Sequence, residues 1–198
     1  MTIWNRYQKI YDKLYVQRVS LKPTRDAVLH CTDTLPHPPQ SILDIGCATG
    51  QLLAQLSGKY PDACCAGIEP STMCFEASKR GLNVLNLPFE AFQTEKKYDL
   101  IVCTHAFPYI ENQPLALEKI NHLLSDCGVL IIAHAESNTL YDRLALSVVK
   151  LTTSKAHYPS AKQMKQWLDT YFNAPLRIRV NAKYIPSIAL YKASKRPI

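Results

Sequence analysis

The sequence predicts an α/β fold, a mostly parallel sheet with helices on both faces. Three observations carry that expectation. Short apolar runs alternate with stretches whose apolar residues recur at helical spacing. The run Ser41-Ile42-Leu43-Asp44-Ile45-Gly46-Cys47-Ala48-Thr49-Gly50 is an apolar strand that reaches an acid and then turns through glycines into a helix. Each strand-like run is followed by a helix long enough for a right-handed crossover to a parallel neighbour.

Taken in order, Trp4, Tyr7, Tyr11, Leu14 and Tyr15 share one face at helical spacing, so the first segment reads as a helix that either packs into the core or covers the site as a lid. Lys22 to Cys31 is a second helix, opened by Pro23 in its first turn, and Pro36-His37-Pro38-Pro39 is a stiff connector. Ser41 to Ile45 forms the first strand. The helix from Gln51 to Leu56 is expected to stop at Gly58, with Pro61 just beyond. Ala63 to Ile68 is the second strand and ends at Glu69. A helix from Ser71 to Arg80 ends at Gly81, and Leu82 to Leu85 reads as the third strand. Tyr98 to His105 is the fourth, and Gly128 to Ala133 the fifth. Between them Pro114 opens a helix with Leu117, Ile120, Leu123 and Leu124 on one face. A helix to about Leu151, a Thr/Ser turn and a helix from Ala161 to Tyr171 follow. The last strands are Leu176 to Val180 and Tyr184 to Tyr191, with Pro186 making the latter irregular or an edge.

At 198 residues the chain is long enough for one well-buried domain and short for two. Within it, residues 1–38 form an N-terminal helical segment, 39–135 a ligand-binding core, and 136–198 the substrate-side helices and last strands. No apolar run approaches the roughly 20 residues needed to span a bilayer. The start, Met1-Thr2-Ile3-Trp4-Asn5-Arg6, lacks the pattern of a secretory signal, so a soluble, cytoplasmic protein is expected. The seven cysteines form no Cys-x-x-Cys pair, and several lie in apolar strands, which suits a reducing compartment. Cys47, in the glycine loop, is expected to be sensitive to thiol reagents. The net charge of +7 is concentrated from Lys150 onward, where ten Lys and Arg face the single acid Asp169. Either Lys162, Lys165, Lys192, Lys195 and Arg196 solvate a helix face and a tail, or they form a basic rim for an anionic substrate, an acidic carrier or RNA.

Gly46 and Gly50 let backbone approach a bound nucleotide closely, and the helix that follows would aim free N–H groups at it. Glu69, at the end of the second strand, suits a vicinal ribose diol, since one carboxylate accepts from two hydroxyls. These segments resemble the class I S-adenosylmethionine-dependent methyltransferases, especially small-molecule enzymes of the ubiquinone/menaquinone-methyltransferase-like type, over roughly Pro39 to Ala135. Asp44-Ile45-Gly46-Cys47-Ala48-Thr49-Gly50 resembles the family's acid-x-Gly-x-Gly-x-Gly motif, with Ala48 replacing the middle glycine. That replacement is expected to be tolerated with Ala48 at negative φ. Phe89-Glu90-Ala91-Phe92 resembles the turn that flanks adenine, Tyr98 to His105 the fourth strand and Gly128 to Ala133 the fifth.

The resemblance implies a Rossmann-like doubly wound, mostly parallel seven-stranded sheet whose last two strands lie antiparallel at one side. It also implies S-adenosyl-L-methionine as cofactor, held by Asp44, Gly46, Cys47, Ala48, Gly50, Glu69, Pro70, Phe89, Glu90 and Thr104. A dinucleotide-binding domain fits less well, because Gln51 sits where its fingerprint wants a third glycine. His105 resembles the position facing the methyl group. It either orients or deprotonates an acceptor, or is satisfied by backbone near the cofactor. His134 and Glu136 fall on one side of the fifth strand by alternation, so one is expected to face the pocket and the other to orient it. Tyr11, Tyr109, Tyr141 and Tyr158 are candidates for lining the acceptor site.

The expected activity is methyl transfer to oxygen, nitrogen or carbon of a small metabolite, anionic if the basic rim forms. An RNA methyltransferase or RNA-binding module, and a non-catalytic methyltransferase-like partner subunit, are the alternatives. Thr104-His105-Ala106-Phe107 does not match the Asn/Asp-Pro-Pro-Tyr/Phe signature of exocyclic-amine methyltransferases. No His/Asp/Glu cluster has metal-ligand spacing, so no metal is expected, and the oligomeric state is not legible.

Overall fold

The computed structural model describes residues 20–153, 156–180 and 186–196. The aromatic stripe from Trp4 to Tyr15, with Tyr11, lies outside the described residues, as does Tyr184. The elements are α1 (Lys22–Thr32), β1 (Ser41–Ile45), α2 (Gln51–Lys59), β2 (Cys64–Ile68), α3 (Cys74–Lys79), β3 (Val84–Leu85), β4 (Tyr98–Thr104), α4 (Gln113–Leu123), β5 (Leu124–Ala135), α5 (Leu140–Thr153), α6 (Ala161–Tyr171), β6 (Phe172–Arg179) and β7 (Ile188–Lys195). Two single 3₁₀ turns, Phe89–Ala91 and Phe107–Tyr109, follow β3 and β4.

The sheet has seven strands in the order β3-β2-β1-β4-β5-β7-β6. The first five run parallel, while β7 pairs antiparallel with both β5 and β6. This is the doubly wound, Rossmann-like arrangement with two antiparallel strands at one side. Strand direction reverses its order of addition between β1 and β4, so a ligand crevice is expected where the two strands end side by side.

Alternation along the strands splits the core in two. Leu43, Ile45, Ile101, Cys103, Leu130 and Ile132 face α4 and α6, whereas Ile42, Leu100, Val102, Val129 and Ile131 face α1 and α2. Asp44 follows the second set by register, so its carboxyl points into the α1/α2 layer instead of into bulk water.

Several boundaries depart from the sequence expectations for local reasons. Gly58 does not end α2, which runs to Lys59 and is capped when the Tyr60 N–H donates to the Leu56 carbonyl. Leu124, expected on a helix face, already begins β5, which extends from there through Ala135. The helix expected from Ser71 is confined to Cys74–Lys79, because Ser71–Met73 form turns that bring Glu69 back onto the chain. β7 starts only after Pro186, and β6 begins at Phe172, directly out of α6.

Candidate active site

The carboxyl ends of β1, β2, β4 and β5 open onto a cavity of about 400 Å³, in the range of small-molecule and cofactor sites. One wall comprises Ile45, Gly46, Ile68, Glu69, Pro70, Met73, Phe89 and Glu90, and the other Pro108, Tyr109, Ile110, Leu146, Tyr158 and Ile188, with Thr104 and His105 between them. A smaller cavity of about 40 Å³ lies behind His105 and is lined by Arg25, Asp44, Cys47, Gln51 and Thr104.

The loop after β1 is held in a left-handed path. Gly46 has φ 73° and Gly50 φ 78°, and Ala48 between them has φ 49°. Ala48 therefore does not keep the negative φ expected of it. The reason lies in its N–H, which donates to Glu69 Oε2 at 2.9 Å, so the loop trades a strained residue for a charge-assisted bond. Gly46 is required twice over, because a Cβ there would lie 2.1 Å from the Ala106 Cβ.

Glu69 is 6% exposed, and its Oε1 accepts from the Ser71 N–H at 2.9 Å. It thus clamps the loop after β1 to the segment after β2, a role the sequence did not reveal, while each oxygen keeps a further lone pair for a ligand hydroxyl. Asp44 is 1% exposed and its Oδ1 has no hydrogen-bond partner among the described residues. Burial, and secondarily the nearby Glu69 charge, push its carboxyl up to about 8. A cationic ligand group beside Asp44 would relieve both causes at once.

His105 also takes a left-handed backbone, φ 58°, where the chain leaves β4. Its Nε2 lies 3.0 Å from Thr24 Oγ1, and the Thr24 hydroxyl donates to the Ser20 carbonyl at 2.8 Å. With the single hydroxyl hydrogen so committed, Nε2 is the protonated nitrogen and donates to Thr24, which leaves the lone pair on Nδ1. Burial, then His134 and Arg25, pull the imidazole down to about 4, so it is neutral at pH 7. Thr24 and Arg25 escaped the sequence reading because α1 precedes the glycine motif and contacts it only in three dimensions.

His134 and Glu136 share a face of β5 as alternation required, yet neither lines the cavity. His134 is fully buried between Phe107 and Tyr191, with ring centroids 5.8 and 5.7 Å away, and donates Nδ1–H to the Ala135 carbonyl at 2.8 Å. Glu136 accepts from Arg177 Nε at 2.9 Å, from Asn138 at 2.8 Å, and from the second Arg177 nitrogen and the Tyr191 hydroxyl. These bonds hold its carboxyl below the usual range against the opposing effect of burial. It is a structural ion pair, and its assignment to catalysis does not stand.

The remaining candidates separate by position. Tyr109 and Tyr158 line the cavity with their hydroxyls 3.2 Å apart, whereas Tyr141 is 52% exposed and does not. Cys47 is buried against Gly67, and burial raises its thiol, so it is shielded from reagents instead of sensitised. Gly50 packs under Ala77 and Leu82 and shapes the loop from below. Lys162, Lys165, Lys192, Lys195 and Arg196 do not line the cavity. Lys192 donates to Thr34, Lys195 pairs with Asp126 at 3.0 Å, and Arg196 reaches the Thr170 carbonyl, toward the opposite edge of the sheet. Lys165 pairs with Asp169 along α6.

A family model described as a methyltransferase domain matches residues 15–171. A malonyl-[acyl-carrier protein] O-methyltransferase from Anoxybacillus flavithermus is 24% identical over 172 residues, 82% of this chain, and the chain spans 66% of that relative, just under two thirds of its length. An S-adenosylmethionine-dependent methyltransferase structure from Thermotoga maritima matches with a TM-score of 0.76 at 18% identity, covering 98% of each chain. The magnesium protoporphyrin IX methyltransferase of Synechocystis, solved with bound S-adenosylhomocysteine, matches with a TM-score of 0.68 at 17% identity over 92% of this chain and 88% of its own. The match takes in α1 through α6, and with them the glycine loop, Glu69 and His105: the chain belongs to the methyltransferase domain family.

Proposed function

We propose that this chain is an S-adenosylmethionine-dependent methyltransferase acting on oxygen, nitrogen or carbon of a small-molecule acceptor. The observation that carries this reading is the pair of acids at the ends of β1 and β2. Glu69 offers lone pairs to a ribose diol, and the buried Asp44 Oδ1, unpartnered among the described residues, suits an ammonium or sulfonium nearby. Gly46, which lines the cavity, would pass closest to the nucleoside, with Pro70, Met73 and Phe89 packing its base.

When bound, that cofactor supplies a methyl group activated on a sulfonium, so little further chemistry is asked of the protein. The chain's own contribution is placement and exclusion of water. His105, neutral and with a bare Nδ1, can accept a hydrogen bond from an acceptor's O–H or N–H and orient its lone pair. Its depressed basicity favours that orienting role over storing a proton. The seven free thiols favour a cytoplasmic setting, and no helix among the described residues is long and apolar enough to cross a membrane. An RNA substrate has less support, since Lys192 and Lys195, among the described late basic residues, are tied down away from the cavity.

Calorimetric titration with S-adenosylmethionine and S-adenosylhomocysteine, with NADH as control, tests the reading. Micromolar binding of the first two and none of NADH is expected; absence of binding by either sulfur compound would overturn it.

A further inference from the structure

Resting on that reading, we propose that Lys119, on α4, is a positioning residue for the cofactor: its ammonium fixes the Phe89–Ala91 turn in the wall where the nucleoside base would pack. That turn lies between Leu85 and Tyr98, a described stretch of the chain with no α-helix or β-strand, so no ladder sets its place. Two of its carbonyls are bonded from outside instead, and Lys119 supplies both bonds. Its Nζ donates to the Phe89 carbonyl at 2.8 Å and to the Glu90 carbonyl at 3.2 Å, and lies 4.7 Å from the centre of the Phe89 ring.

These contacts constrain what burial leaves free. Phe89 is 4% exposed and packs in one cluster with Leu117 and Ile120 of α4, but apolar burial is non-directional and tolerates a tilted ring. Charge-assisted bonds to two successive carbonyls fix the path of the turn, and a cation over the ring fixes its orientation as well. The helix that carries Lys119 is a firm reference, since Ala116, Leu117, Ile120 and Leu123 are buried along it. Burial pulls the Lys119 ammonium below its ordinary range, and the Glu90 charge works against that pull. The Glu90 carboxylate is itself tied to the start of α4, accepting from the Glu111 N–H at 3.1 Å. Lys119 does not line the cavity, so it acts on a ligand through Phe89 and Glu90, which do.

The test titrates the intact chain calorimetrically with S-adenosylhomocysteine and with 5′-methylthioadenosine, which keeps the nucleoside and lacks the amino-acid end. Lys119→Met keeps the apolar stem without the donors and is expected to weaken both ligands by about fivefold or more. Lys119→Arg, which keeps a cation and its N–H donors, should recover binding to within about twofold of the parent. If the methionine variant folds poorly, Lys119→Gln, neutral and one atom shorter, takes its place. In a double-mutant cycle with Phe89→Leu, the joint loss should fall short of the product of the single losses by about threefold or more, because the lysine acts through that ring. Unchanged affinity in the neutral variant, no recovery with arginine, weakening confined to S-adenosylhomocysteine, or losses that simply multiply would overturn the proposal. Failure of the parent chain to bind S-adenosylhomocysteine would instead strike the underlying methyltransferase reading, so the two failures are distinguishable.

Discussion

Replacing Glu69 by Gln changes one atom, yet the structure makes it a severe substitution. Both carboxylate oxygens accept backbone N–H groups, from Ala48 and from Ser71, each at 2.9 Å. An amide can satisfy only one, and its NH₂ then confronts the other N–H as donor against donor. Losing one charge-assisted bond costs about 1.5–3 kcal/mol. At about 2–4 °C per kcal/mol for a domain of this size, the melting temperature should fall by roughly 3–12 °C. The same NH₂ cannot accept from a ribose hydroxyl, so affinity for S-adenosylhomocysteine should weaken by a further 1–3 kcal/mol, about 5–150-fold. Differential scanning fluorimetry of the free protein and calorimetry with the ligand read the two effects separately. A variant that melts with the parent and binds as tightly would refute both the clamp and the ribose assignment.

Gly46→Ala should lower stability by at least the roughly 1–2 kcal/mol of a left-handed alanine and abolish ligand binding, and adding Ala106→Gly should recover the part due to the 2.1 Å contact but not the rest. Asp44, with its folded carboxyl at about 8 against an ordinary 3.8, binds more protons folded than unfolded between those values, so the free protein should lose stability as pH rises from 4 to 8. Urea denaturation of Asp44→Asn should show a flatter profile, and an unchanged difference from the parent across that window would contradict the assignment. Thr24→Val removes the acceptor of the His105 N–H and should cost about 1–3 kcal/mol of stability while lowering kcat more than KM, with Thr24→Ser restoring both; an unaltered pH–rate profile in the valine variant would confine Thr24 to packing.

What the sequence disclosed was whatever lies within one strand–turn–helix unit. Asp44, the glycine loop and Glu69 are legible because strand end, acid and turn follow one another, and the sheet rule then brings their strands side by side. Glu136 illustrates what was hidden. Its position after an apolar strand reads as a pocket residue, but the arginine that neutralises it lies 41 residues on, in a strand whose pairing no local pattern reveals. Ala48 shows a second limit: its backbone energy is offset by a carboxylate 21 residues away, so propensity alone assigns the wrong conformation. Gly58 shows a third, since a glycine ends a helix only if the chain has somewhere else to go, and here tertiary packing of Leu52, Leu53 and Leu56 carries α2 past it.

The placement of β7 between β5 and β6 bears on the order in which the protein can assemble. The sixth strand is made before the seventh, yet its ladder is formed with the seventh. Until Ile188–Lys195 is inserted, β6 has no edge to join, and His134 and Glu136 lack Tyr191 as a lid on their side of the sheet. The half of the fold that carries Gly46 and Glu69 can therefore form early from near-neighbour contacts, while the half that carries Ile188 waits on β7. Damage to β7 should accordingly leave a partly folded species whose cavity is open on the Ile188 side, visible as early loss of Tyr191 protection in hydrogen exchange while β1, β2 and β4 remain protected.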